Sequence, residues 1–418
     1  MLRIAEPGSE PGSHASAGRR PVVRGLVAVL LLIGVVAIAW TQLPAEEPLE
    51  EPSTTLGPFP PSPVDVDRFD ITLGVNPTEL TDDELGRALD LAQEAGVTQV
   101  QSGANWWWLN RGREARDYDW SDLDRLLDAT EERGIRVKLQ LSGTPGWVHG
   151  EAADTPPSHD TIWNPPVRSE EQLGHWGDFV ADVVGRYGDR VTFYELWNEP
   201  NSEVYWKPEP SPRDFAALLR TGYLRAKDRD PDVVIGSGGL SRNDIGYLET
   251  LYEEMRDHYE DAEANGHFFD ILGVHPYSRD QGPSEVSDSL ISTSRFGLID
   301  ENFIGFTRMR EVLQQYGDHE TPIHLGEYGF STTETWMEAV PEETRARYLR
   351  EAYAIAMRFP YIIGLTWYDF LPDGSGEGWE IVGEDGRPLA TFDALREVEV
   401  NDLREAEVND VEPLDTAD

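Results

Sequence analysis

The chain has 418 residues and a formal net charge of −43, from 35 Lys and Arg against 78 Asp and Glu. So acidic a chain excludes nucleic acid as a partner, because gripping phosphates needs a basic face. With no Cys, a thiol nucleophile, a disulfide framework, Cys-ligated zinc and a lipidated N-terminal Cys are excluded as well.

Residues 1–24 form a polar segment carrying Arg3, Arg19, Arg20 and Arg24. An uninterrupted apolar run, Gly25 to Trp40, follows, and the next charge is Glu46. As a helix this run spans roughly 24 Å, slightly short of a bilayer core of about 30 Å. The Arg-bearing flank before it and the acidic flank after it predict an N-terminus inside and the bulk of the chain outside. Residues 25–43 are therefore expected to be a signal peptide, with Ala37-Ile38-Ala39 resembling a cleavage site, or a single-pass membrane anchor. Arg19-Arg20-Pro21-Val22-Val23 also resembles a twin-arginine export signal. Both readings give an extracytoplasmic protein, secreted after cleavage or held at the membrane. Residues 44–67 hold seven prolines among Glu, Ser and Thr, which predicts a stiff, extended linker that would hold a domain off the membrane.

From about residue 68 to 395, strand-like apolar runs alternate with amphipathic helical ones. The strands read Ile71–Val75, Val97–Gln101, Val137–Leu141, Val191–Leu196, Val233–Ile235, Ile271–Val274, Pro322–Leu325 and Ile362–Thr366. Helix starts are marked by Thr81-x-x-Glu84, Ser121-x-x-Asp124, Ser169-x-x-Gln172 and Ser211-x-x-Asp214, which have the form of capping boxes or close relatives. Eight strand–helix alternations in one direction imply parallel strands, which right-handed crossovers can close into an α/β fold of the (β/α)8 TIM-barrel type. An open doubly wound sheet is the alternative, but no Gly-rich phosphate loop follows the first strand. Beyond the barrel, Leu395–Asp402 is nearly repeated as Leu403–Asp410, and residues 396–418 are expected to be an acidic, solvated tail.

Two glutamates stand where barrel strands end. Glu199, in Trp197-Asn198-Glu199-Pro200-Asn201, follows the fourth strand, and Pro200 cannot continue the ladder. Glu327, in Leu325-Gly326-Glu327-Tyr328, ends the seventh. Catalytic groups of such barrels gather at this C-terminal rim. Two carboxyls on one rim, one protonated and one ionised, can divide acid and base work between them. Asn198 and Glu199 are adjacent, so both can face a substrate only where the strand breaks its alternation.

On these motifs the chain resembles the glycoside hydrolase clan A superfamily, most nearly family 39, with family 5 as a neighbour. The resemblance covers the barrel and is strongest at Glu195–Asn201. It implies a retaining β-glycosidase acting on β-linked poly- or oligosaccharides by double displacement, with no cofactor, and the N-terminal segment implies that it is exported. Glu199 matches the acid/base and Glu327 the nucleophile. Asn198 matches a residue that hydrogen-bonds the sugar 2-hydroxyl, and His275-Pro276-Tyr277 the element whose Tyr holds the nucleophile. Trp367 matches the aromatic floor of the subsite at the cleaved sugar. The strand-two Arg of family 5 has no evident counterpart in Gln101–Trp106. The two roles require a raised pKa at Glu199 and a normal or low one at Glu327.

Further aromatics line the rim-side loops: Trp106-Trp107-Trp108, Trp147, Trp163, Trp206, Trp336 and Trp379. Flat rings stack on pyranose faces, and Trp107, Trp147 and Trp206 are the favoured contacts among them. Glu195 is expected to be a buried polar spacer. His324, assigned by alternation to the strand face opposite Glu327, is expected to pack under the helices rather than bind metal. A non-catalytic carbohydrate-binding barrel or cell-surface adhesion module is the alternative function, and a metal-dependent hydrolase a third. Only three residues are Lys (Lys138, Lys207, Lys227). A carboxylate-rich, Lys-poor surface stays soluble where salt screens its self-repulsion, which predicts a halophilic source, with a merely acidic secreted enzyme as the alternative.

Overall fold

The structure is a computed structural model that describes residues 70–398 apart from 111–114, 153–157, 336 and 373. The expectations for residues 1–67, for Trp336 and for the tail from residue 399 lie outside the described residues. Among the described residues, no helix is long and apolar enough to cross a membrane.

Eight parallel strands close into a barrel: β1 (Asp70–Gly74), β2 (Gln99–Asn105), β3 (Arg136–Ser142), β4 (Tyr194–Asn198), β5 (Ile235–Ser241), β6 (Leu272–His275), β7 (Ile323–Tyr328) and β8 (Ile362–Trp367). β1 pairs with β2 through Leu73↔Val100 and with β8 through Ile71↔Leu365. That second pairing closes the sheet and rules out the open doubly wound alternative. The principal helices are α1 (Asp82–Glu94), α2 (Ser121–Glu131), α3 (Glu170–Tyr187), α4 (Pro212–Arg229), α5 (Ile245–His258), α6 (Phe306–Gln315), α7 (Glu342–Ala356) and α8 (Ala390–Arg396). An antiparallel hairpin, Ile291–Ser294 with Gly297–Asp300, lies between β6 and α6.

Local chemistry explains most helix starts. Thr81 and Glu84 form a full capping box on α1, satisfying two backbone donors that a helix start leaves open. Ser169 accepts from the Gln172 N–H on α3, and Ser211 from the Asp214 N–H on α4. Ser121 differs from expectation. It is already the first residue of α2, and its own N–H donates to Asp119.

The barrel interior is layered. At the bottom, Phe193, Ile271 and Ile363 form a small apolar cluster. His324 packs edge-on against Phe193 with ring centroids 5.2 Å apart, and the Lys138 ammonium stands 5.3 Å from the same ring. His324 therefore faces the interior, not the helix layer as parity predicted. Burial and then the neighbouring Lys138 charge hold its pKa well below the usual imidazole value, so it packs as a neutral ring. Its misplacement has one cause, an extra residue in β7. Leu325 pairs with Leu365, but the next pair is Tyr328 with Trp367. Three residues of β7 oppose two of β8, a bulge that inverts inward and outward parity beyond Leu325.

Candidate active site

β4 breaks its alternation differently, with no extra residue, since Leu196 pairs with Ser237 and Asn198 with Gly239. Glu195 points inward, where it meets Lys138 and Gln140. Leu196 points outward onto Gly222 of α4. Trp197 should then point inward, but it has φ +78° and turns outward as well. Its ring contacts Trp176 of α3, Trp163 and Trp206, and its Nε1 donates to the Tyr205 carbonyl at 2.8 Å. Asn198 and Glu199 consequently both face the barrel axis, with Glu199 also at positive φ, +38°. Such conformations cost on the order of 1–3 kcal/mol per non-glycine residue, so surrounding packing must over-determine them. Here the aromatic cage of Trp197 supplies that packing.

His275, ending β6, lies between the carboxylates. Its Nδ1 is 3.1 Å from Glu199 Oε1 and 3.6 Å from Glu327 Oε2. One donor atom from each of the three residues falls within 4.8 Å of the others. Two glycines make room for the imidazole. A Cβ at Gly239 of β5 would sit 2.0 Å from His275 Nε2, and one at Gly326 of β7 would sit 2.9 Å from it. Tyr277 donates its hydroxyl to Glu327 Oε2 at 3.2 Å. Burial and then the Glu327 charge push its phenol pKa well up, so it stays a donor.

The electrostatics depart from expectation at Glu327. Burial pushes its carboxyl above the ordinary carboxylate range, and the Glu199 and Glu195 charges add to this. His275 and Lys138 oppose the rise without cancelling it. Burial alone would lower His275, yet the Glu327 charge, the bond it gives to Glu199 and the Glu199 and Glu195 charges together raise it. A normal or low pKa for Glu327 is therefore not what this site holds.

A recess of about 390 Å³ opens beside Glu327 towards β1, β2 and β8, lined among others by Asn76, Gln101, Gln140, Thr366, Tyr368 and Asp369. This is within the range of small-molecule sites. Trp367 is not brought to it. Thr366 bonds inward to Gln101, so alternation turns Trp367 outward, where it is fully buried against Tyr328 and Phe330. Tyr368, one residue later, takes the cleft position, edge-on to Trp379 at 5.5 Å. Of the other favoured aromatics, Trp206 is 1% exposed between Trp197 and Phe215 and has no face left for a sugar. Trp147 packs on Trp106 and on His175 of α3. Trp107 is half-buried at the rim beside Trp108 and does not line the recess. Trp379 is buried with Tyr277 and Met337.

Several residues of this centre were not singled out from the sequence: Asn76, Gln101, Lys138, Gln140, Tyr368 and Asp369, and also Tyr205, whose phenol is raised by burial and then by the Glu199 and Glu327 charges. The signal for three of them was present. Both faces of a parallel barrel strand are covered, so its residues should read as an apolar run. Polar residues at alternate positions, such as Lys138 and Gln140 in β3, mark a polar interior.

No protein-family model matches the chain. It is 19% identical over 221 residues to a β-xylosidase of Geobacillus stearothermophilus, covering 51% of this chain and 41% of that one. It thus spans less than half the length of the curated relatives it matches. Among solved structures, a family 39 glycoside hydrolase from Bacteroides cellulosilyticus superposes with a TM-score of 0.60 at 22% identity, over 80% of this chain and 64% of that one. A monomeric β-xylosidase from Caulobacter crescentus gives 0.58 at 19% identity, over 81% and 69%. In sequence the chain is thus similar to β-xylosidases, and in fold to glycoside hydrolases of family 39.

Proposed function

We propose that this protein is a retaining β-glycosidase, with Glu199 as acid/base and Glu327 as nucleophile, acting on β-linked oligo- or polysaccharides. One observation carries the reading: an oxygen of Glu199 and an oxygen of Glu327 lie within 4.8 Å of each other. Retaining enzymes hold their carboxyls about 5–5.5 Å apart, whereas inverting ones leave about 6.5–9.5 Å for a water. Relatives named β-xylosidase make β-xylosides the first substrates to try. The test is hydrolysis of nitrophenyl β-xyloside, β-glucoside and β-mannoside, with the first-formed anomer read by proton NMR. A β-anomer is expected. An α-anomer would overturn retention, and saccharide binding without turnover would favour the non-catalytic carbohydrate-binding reading.

The Glu199–His275–Glu327 cluster favours one competing reading, a metal-dependent hydrolase, because an imidazole and two carboxylates form a usable ligand set. Activity undiminished after exhaustive dialysis against a chelator is the result expected for the glycosidase. Loss restored by a divalent cation would instead establish the metal reading.

The N-terminal apolar run and Pro-rich spacer support export, secreted or anchored, with the barrel outside the cell. Recovery of the enzyme only in the cytoplasmic fraction of its source would count against this. The acidic, Lys-poor composition supports adaptation to salt. The denaturation midpoint is expected to rise between dilute buffer and molar salt, and a flat or falling one would remove that reading.

A further inference from the structure

Below the carboxylates lies a buried ion pair that the proposed chemistry leaves unused. Lys138 and Glu195 are both fully buried, with Nζ 2.7 Å from Oε2. Buried pairs of this kind seldom add stability over apolar residues of the same size; their best-attested use is to specify one arrangement among several. Around this pair, what needs specifying is the direction of amides. A side-chain amide is nearly symmetric in shape, and only its hydrogen-bond partners decide which end is oxygen.

Each amide here is decided by the pair. Ionised Glu195 can only accept, so the group facing its Oε1 at 2.9 Å must be the Gln140 NH2. The second hydrogen of that NH2 goes to Asn198 Oδ1 at 3.1 Å, which leaves the Asn198 NH2 for the cleft. The Lys138 ammonium can only donate, so the group it meets at 2.9 Å must be Gln101 Oε1. The Thr366 hydroxyl donates to the same oxygen at 3.3 Å, which leaves the Gln101 NH2 free to serve the recess. Gln101 and Gln140 both line the recess beside Glu327.

We propose that the Lys138–Glu195 pair is a positioning device that sets the hydrogen-bond polarity of the substrate recess. It presents the NH2 groups of Asn198 and Gln101 as donors and the Gln140 oxygen as an acceptor, a pattern suited to the hydroxyls of a neutral sugar. The inference rests on the proposed glycosidase reading. It adds Gln101 and Gln140 as specificity-determining residues and gives the pair a role in aiming Asn198 rather than in bond cleavage.

Two variants test it. Glu195→Gln keeps the shape but can donate as well as accept. The double variant Lys138→Met/Glu195→Leu removes both charges at similar volume, an exchange proteins often tolerate. Circular dichroism and thermal unfolding establish which of them fold. Each folded variant is assayed on a nitrophenyl β-xyloside and on its 2-deoxy counterpart, beside Asn198→Ala. A misdirected donor is expected to cost about 10- to 100-fold in kcat/KM on the parent, near the loss from Asn198→Ala, and under about 3-fold on the 2-deoxy substrate. A merely structural role would lower both substrates together, and that result, or wild-type discrimination in a folded variant, would overturn the proposal. An inactive wild type, or one unaffected by Asn198→Ala, would instead refute the reading of the site on which the proposal depends.

Discussion

Glu327→Gln is expected to lower kcat/KM on nitrophenyl β-glycosides by about 10⁴-fold or more, because no other group can take over covalent attack. The variant should fold, since an amide can still accept the 3.2 Å bond from Tyr277. The wild-type enzyme incubated with a 2-deoxy-2-fluoro glycoside should gain one sugar on the peptide containing Glu327, read by mass spectrometry. A label on any other carboxylate would displace Glu327 from the nucleophile role. The pH profile adds a sign. Attack needs Glu327 ionised, and burial raises its pKa, so activity is lost as pH falls through that raised value. The acid limb of kcat/KM should therefore lie above the ordinary Glu value of about 4.3. A limb at or below that value would contradict the environment described for the site.

Glu199→Gln should separate the two half-reactions. Where the leaving group needs a proton, as with a sugar alcohol, kcat/KM should fall by about 10²- to 10⁴-fold. With a dinitrophenyl leaving group, which departs without help, kcat/KM should change by less than about 10-fold, because that constant ends at formation of the glycosyl-enzyme. Turnover should still slow, since water is no longer activated in the second step. Added azide, which needs no base, should restore it and give a β-glycosyl azide. Equal losses on both leaving groups would mean that Glu199 does not donate the proton.

Much of this was legible in the order of residues. Eight apolar runs separated by capped helices fix direction and count, and parallel strands of that number close into a barrel. The pairing of Glu199 with Glu327 follows from counting strands, because strand ends of a barrel share one rim. Adjacency of Asn198 and Glu199 forced a break in alternation, and Trp197 at φ +78° is where it occurs. The misplaced residues failed for separate reasons. His324 was assigned to the wrong face because nothing local announces the extra residue in β7. Trp367 was assigned to the cleft because strand-end position alone does not say which way a ring turns. Trp206 was assigned to a sugar because a Trp in a rim loop reads the same whether it lines a cleft or plugs the cage around Trp197.

The sequence by itself determined that Glu199 and Glu327 stand at the same end of the barrel, since that follows from strand count. The tertiary structure alone decided which way those groups face and what surrounds them. A left-handed Trp and a one-residue bulge persist only because distant side chains pack around them. Likewise, the raised carboxyl of Glu327 reflects burial and the Glu199 and Glu195 charges at β4, against which His275 of β6 and Lys138 of β3 act. Sequence spacing cannot encode those effects, because they depend on neighbours that only the closed barrel brings together.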